Sequence, residues 1–319
     1  MFDERYLFCD RGDQSDAVVA ENVHPFSALS GGSKVYGRIH TPAAYNENDR
    51  TPVAIFLHGF PGLERNMDIP YCLSRGGIAA AYFAFRGVWG SHGDYSFTHL
   101  IEDTFAVIEF LKERADTYRI DPERIYLVGH SMGGFTAMNA IAQGADVKGG
   151  ILMCPCDWGG CFIKENEWAM SLLKAKDSGY FKLAHENALI EDIEAHAEEW
   201  SFVNLLGKLP KATPLHFIVG SGDLTTPSGK HVEPVYNLLV ENGYKTSFTV
   251  LPDSHNLPKH RTTVTKMIFD LIVEMEQKSQ AKTHKNRRDP NRSRRYVFLT
   301  FTVRRRWSEG YPSGCLSPF

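Results

Sequence analysis

The chain is poor in cysteine: six thiols in 319 residues, at positions 9, 72, 154, 156, 161 and 315, with no pair in C-x-x-C spacing. That excludes a disulfide framework and argues against structural zinc, which uses two paired clusters. Cys154, Cys156 and Cys161 are expected as small buried thiols in a reducing compartment. No apolar run approaches the roughly 20 residues that a bilayer-crossing helix needs, so no membrane span is expected. The opening Met1-Phe2-Asp3-Glu4-Arg5-Tyr6 lacks a basic stretch followed by an apolar one. No secretory signal is therefore expected, and the expected location is cytoplasmic. The glycine-rich run from Arg86 to Gly93 has neither a Gly-Lys-Ser/Thr ending nor G-x-G-x-x-G spacing, so it is no phosphate cradle.

What is present is an ordinary globular composition, 43% hydrophobic and 23% charged, with a small net charge of −3 that is unevenly spread. From Ala281 to Phe319, ten Lys or Arg stand against Asp289 and Glu309, a surplus of +8 that leaves −11 for the remainder. A shift of that size marks a boundary. The expected organisation is an N-terminal extension over 1–29, a main domain over 30–279, and a disordered basic tail over 280–319. Tyr296 to Val303 has the pattern of a strand within that tail. No nucleic-acid-binding motif accompanies the arginines, so no nucleic-acid partner is expected.

Strand-like and helix-like segments alternate along the main domain, which predicts an α/β fold with a mostly parallel sheet and helices on both faces. Strands are expected at Val35–His40, Pro52–Leu57, Ile78–Phe85, Ile125–Val128, Val147–Met153, Pro214–Val219 and Ser247–Leu251. Helices are expected at Thr98–Arg114, Gly133–Gln143 and Thr262–Gln277, and a turn at Asp121-Pro122-Glu123. Some 60 residues between Met153 and Pro214 carry no strand signal. A structureless loop of that length is unusual in a compact domain. Helical pieces are expected at Trp168–Leu173, Tyr180–Ile190 and Ile193–Trp200, forming a lid over about 156–210 at the carboxyl ends of the strands, where open α/β sheets bind ligands.

Gly129-His130-Ser131-Met132-Gly133 stands between an expected strand and an expected helix. A serine hydroxyl is a weak nucleophile until a base reaches it, and glycines at both flanks permit the sharp turn that lifts the hydroxyl out of the backbone. Upstream, an apolar strand ends at His58-Gly59-Phe60-Pro61-Gly62. Downstream, Asp223 and His255 each follow an expected strand. With these residues in this order the chain resembles an α/β-hydrolase over roughly residues 30 to 277. The resemblance extends to feruloyl-type esterases and the catalytic domain of prolyl-oligopeptidase-like peptidases.

That resemblance implies a serine hydrolase with Ser131 as nucleophile, His255 as general base and acid, and Asp223 as the orienting carboxylate. It also implies an oxyanion hole made by the backbone N–H groups of Phe60 and Met132. Pro61 has no N–H and can only stiffen its loop; His58 is expected to pack rather than to act as a base. Asp157 follows an expected strand and remains an alternative acid, Asp253 is close along the chain to His255, and His231 and His260 are alternatives to His255. Trp89, His92 and Tyr95 are expected along the substrate pocket.

The expected substrate is a small acyl ester, hydrolysed through an acyl-enzyme that needs no metal or organic cofactor. With 57 residues before His58 in this sequence, the β-propeller that gates the larger peptidases is not expected. A short peptide or acyl-aminoacyl substrate is the alternative, and a catalytically silent binding protein of the same fold is an alternative of another class. Oligomeric state is not encoded in these patterns.

Overall fold

The computed structural model describes residues 2–12, 14–60, 66–173 and 179–288. Pro61 and Gly62 of the His-Gly loop, and the tail beyond Arg288 with its strand-like 296–303, lie outside them. Among the described residues, those up to Lys278 form one compact unit, and 279–288 belong to a second.

Among the described residues, eight strands form one sheet: β1 Asn22–Ser30, β2 Ser33–Thr41, β3 Thr51–Leu57, β4 Ala79–Phe83, β5 Ile120–His130, β6 Gly149–Met153, β7 Leu215–Gly220 and β8 Thr246–Leu251. Their order is β1-β2-β4-β3-β5-β6-β7-β8, antiparallel at β1/β2 and β2/β4 and parallel elsewhere. The helices are α1 Asp68–Arg75, α2 Phe97–Glu113, α3 Ala115–Tyr118, α4 Met132–Ala142, α5 Trp158–Lys164, α6 Asn166–Leu173, α7 Ala188–Trp200, α8 Ser228–His231, α9 Glu233–Glu241 and α10 Arg261–Arg288. Among the described residues, no helix is long and apolar enough to cross a membrane.

The central strands are apolar throughout because both faces of the sheet are covered. Successive side chains of β3 alternate between two cores: Val53, Ile55 and Leu57 join the layer containing α2 and α4, while Ala54 and Phe56 join the layer containing α1 and the Val264–Met275 face of α10. Ser96 starts α2 by accepting the His99 N–H at 3.1 Å. Register then lines up the strand ends. Leu57 pairs with Gly129, His130 with Met153, and Gly220 with Leu251, so the loops at 58–60, 131, 221–223 and 252–255 all leave the sheet at the carboxyl ends of its parallel strands.

Three expectations require correction. Residues 22–29, expected in an N-terminal extension, belong to strand β1 of the sheet. Asp121-Pro122-Glu123 lies within β5, not in a turn; a register shift between Thr51 and Val53 of β3 absorbs the extra residues. The helix expected over Tyr180–Ile190 starts only at Ala188. Upstream of it, Phe181 bridges to Val88 and the Lys182 backbone bonds to Gly87 and Tyr95, so these backbone groups are committed to a loop partner rather than to a helix. The insertion also contains α5, which periodicity missed.

Candidate active site

At the end of β5 the chain reverses into α4 through Ser131, whose φ of 57° and ψ of −118° are strained for a residue with a Cβ. Main-chain bonds hold the strain: Ser131 N donates to Met153 O at 2.9 Å, and Ser131 O accepts from Gly134 N at 2.9 Å and Cys156 N at 3.1 Å. The flanking glycines are required by space. A Cβ on Gly129 would stand 2.2 Å from Gly133 O, and one on Gly133 would stand 1.9 Å from Leu57 O. The contact at Gly59 is less tight: a Cβ there would stand 3.1 Å from the Ser131 Cβ.

Ser131 Oγ lies 2.9 Å from His255 Nε2, and His255 Nδ1 lies 2.8 Å from Asp223 Oδ2. The Asp223 side chain is fully buried and that of His255 is 17% exposed, so the carboxylate is shielded from solvent while the imidazole is partly open to it. Burial alone would raise the Asp223 carboxyl. The His255 hydrogen bond and charge, with donors from Thr226, outweigh burial and bring it down to about 2. An ionised carboxylate only accepts, so Nδ1 carries the proton and Nε2 presents its lone pair to the Ser131 hydroxyl. Asp223 Oδ1 accepts the N–H groups of Thr225 and Thr226 at 2.8 and 2.9 Å, and the Thr226 hydroxyl donates to Oδ2 at 2.8 Å.

His130 supports the same group from behind. Its Nε2–H donates to the His255 carbonyl at 3.0 Å, and burial next to His255 lowers its pKa to about 3, so it stays neutral. The other acidic residues are occupied elsewhere. Asp157 caps α5, with Oδ1 accepting from Gly160 N at 2.9 Å and Phe202 N at 3.1 Å, and burial raises its carboxyl to about 6. Asp253 holds His260 at 2.9 Å, and His231 accepts the Asp157 N–H at 3.1 Å. The His58 ring packs on Phe85 at 4.6 Å.

Among the described residues, no acceptor takes the backbone N–H of Phe60, the residue after Gly59, or of Met132, the residue after Ser131. Met132 opens α4, whose N-terminus favours negative charge. Tyr95 is fully buried, and its hydroxyl donates to Met132 Sδ at 2.7 Å. Trp89 is exposed and stacks on Tyr180 at 6.2 Å. His92 packs edge-on to Tyr36 of β2 at 5.6 Å, and no contact among the described residues brings it to Ser131.

The ligand atoms of Cys154, Asp223 and His255 lie within 4.8 Å of one another, the one grouping of three metal-ligating side chains among the described residues. Asp223 and His255 already share a hydrogen bond there, and Cys154, Cys156 and Cys161 are buried free thiols. Residues missed in the sequence are Thr226 and His130. The Asp223-x-x-Thr226 spacing suits a side-chain turn in which the carboxylate accepts from the next backbone N–H groups, a signal available in principle. Nothing in the sequence marks His130 beyond its place in the turn.

Comparison with known proteins gives a consistent result. The model of the alpha/beta hydrolase family matches residues 54–257. A curated relative, the "Putative esterase NocK" of Nocardia uniformis subsp. tsuyamanensis, is 29% identical over 161 residues, which are 46% of this chain and 44% of that protein. The chain spans less than half the length of the curated relatives it matches. Among solved structures, the acylaminoacyl peptidase of Pyrococcus horikoshii superposes with a TM-score of 0.60 at 19% identity, covering 79% of this chain and 41% of that one. Est1E from Butyrivibrio proteoclasticus superposes with a TM-score of 0.58 at 19% identity, covering 79% of this chain and 99% of that one.

Proposed function

This chain belongs to the alpha/beta hydrolase family and has its fold, and from that premise we propose that it is a serine hydrolase acting on carboxylic esters. The observation that carries the reading is the unbroken chain Ser131 Oγ, His255 Nε2, His255 Nδ1, Asp223 Oδ2, with links of 2.9 and 2.8 Å. Ser131 Oγ attacks the acyl carbonyl while His255 Nε2 takes its proton. The tetrahedral oxyanion is received by the N–H groups of Phe60 and Met132. Collapse breaks the bond to the alcohol oxygen, which leaves with the proton held on His255. Water then attacks the acyl-enzyme, His255 again takes a proton, and Ser131 recovers it as the carboxylic acid departs. Asp223 stays ionised throughout and stabilises the imidazolium.

An ester is the substrate class we favour, supported by the partial likeness to a curated relative named as an esterase. The test is labelling by a fluorophosphonate probe together with turnover of p-nitrophenyl acetate and of matched aminoacyl amides. Expected are a single label and ester turnover, both lost in Ser131→Ala. An intact Ser131→Ala activity, or a wild-type protein that does not label, refutes the proposal.

A further inference from the structure

We infer that Phe181, carried by the insertion, is a positioning residue for the oxyanion hole; this rests on the hydrolase reading above. Phe60 lies just beyond β3 and belongs to no strand or helix, so the orientation of its peptide depends on what its side chain packs against. Its ring is stacked by Phe181 at 5.1 Å with 25° between planes, and met edge-on by Trp158 at 5.7 Å. Phe181 in turn stacks on Tyr95 at 4.9 Å and 27°, and the Tyr95 hydroxyl donates to Met132 Sδ. One ring therefore touches the side chain of one donor residue directly and reaches the other through Tyr95.

Phe181 is held there by more than its ring. It bridges to Val88; Lys182 N donates to Gly87 O and Tyr95 N donates to Lys182 O, both at 2.8 Å; and Lys182 Nζ pairs with Asp94 at 3.0 Å. Gly87, at a φ of +73°, makes room for this strap, since a Cβ there would stand 2.7 Å from Lys182 O. The segment is thus a short strap zipped onto the 87–95 loop, with one aromatic side chain set against the Phe60 and Tyr95 rings. Oxyanion donors act only when aimed at the position the oxyanion takes, so a loosened Phe60 peptide loses rate without losing ground-state binding.

The experiment compares Phe181→Ala, Phe181→Tyr and Tyr95→Phe in the full-length protein, with circular dichroism and Tm on each. Readouts are kcat and KM on p-nitrophenyl acetate and on a longer-chain p-nitrophenyl ester, and the second-order rate of fluorophosphonate labelling. Expected for Phe181→Ala is a fall of about tenfold in kcat on both esters and in the labelling rate, with KM within twofold. Phe181→Tyr, which keeps the stacking ring, restores the rate. Tyr95→Phe, which loses only the bond to Met132, falls about threefold on both esters. An unchanged kcat on acetate with altered KM on the longer ester overturns the inference, because Phe181 would then be a wall of the acyl pocket. If Phe181→Ala unfolds, Tyr95→Phe decides, and a wild-type rate in it overturns the inference. Wild-type protein that neither labels nor turns over esters defeats the underlying reading first, and this one with it.

Discussion

Asp223→Asn separates a charged acceptor from a neutral one of the same shape. Asp223 Oδ1 accepts two backbone N–H groups, so the new amide can keep its oxygen there. Its NH₂ then faces His255 Nδ1, where Asp223 Oδ2 now accepts at 2.8 Å. A donor at that position forces the imidazole to present a lone pair at Nδ1 and to carry its proton at Nε2. Ser131 then faces a donor instead of a base, and nothing remains to stabilise the imidazolium. The equivalent change in a serine protease triad lowers kcat about 10⁴-fold, which corresponds to about 5.5 kcal/mol of transition-state stabilisation. The expected result is a loss of about 10⁴ in kcat/KM for p-nitrophenyl acetate with KM little changed, measured beside circular dichroism. The substitution also acts on stability. A carboxyl held at about 2 when folded and 3.8 when unfolded adds stability above pH 3.8 that disappears as pH falls toward 2. Asp223→Asn should therefore flatten the acid limb of urea unfolding between pH 4 and 2. Retention of more than about a hundredth of wild-type kcat/KM would sink the assignment of Asp223 as the orienting acid.

Asp157→Asn makes the contrasting case. Both bonds accepted by Asp157 go to Oδ1, which an amide preserves. Burial raises its folded pKa to about 6, so it costs stability as pH rises from 4 through 6. The substitution should remove that slope, raise stability at pH 7 by up to about 3 kcal/mol and leave ester turnover within threefold; a large loss of turnover would restore Asp157 as an acid candidate. Gly133→Ala places a Cβ 1.9 Å from Leu57 O, so the helix must move off β3; a destabilisation of about 3 kcal/mol or more is expected. An unchanged Tm would show that the turn is looser than its contacts indicate. Arg86 binds Asp103, whose side chain is fully buried, through Nε at 2.6 Å. Arg86→Ala leaves that carboxylate buried without its counter-ion, keeping the residue-86 backbone N–H on Oδ2 at 2.7 Å and the Ser30 hydrogen bond, with an expected loss of about 3–5 kcal/mol in chemical unfolding, which a loss below 1 kcal/mol contradicts.

Much of this protein is determined locally. The apolar runs of β3 to β7 appear as strands because a strand covered on both faces must be apolar along its whole length, and that is visible without knowing its neighbours. The same holds for the glycines of the Ser131 turn and for the order Ser131, Asp223, His255 after successive strands. Elements whose hydrogen bonds are spent across the fold were not legible: β1, an edge strand containing Pro25, and the Phe181 strap, whose residues look helical until Gly87 and Tyr95 take their backbone groups. Only tertiary structure distinguishes the partners of the carboxylates. Asp157, Asp223 and Asp253 all follow strands, yet each is committed to a different partner, Asp157 to a helix cap, Asp253 to His260 and Asp223 to His255. Sequence sets which groups exist and in what order they arrive. Which of them meet within 3 Å depends on strand register, which aligns loops more than a hundred residues apart, as Ser131 and His255 are, and which no local pattern contains.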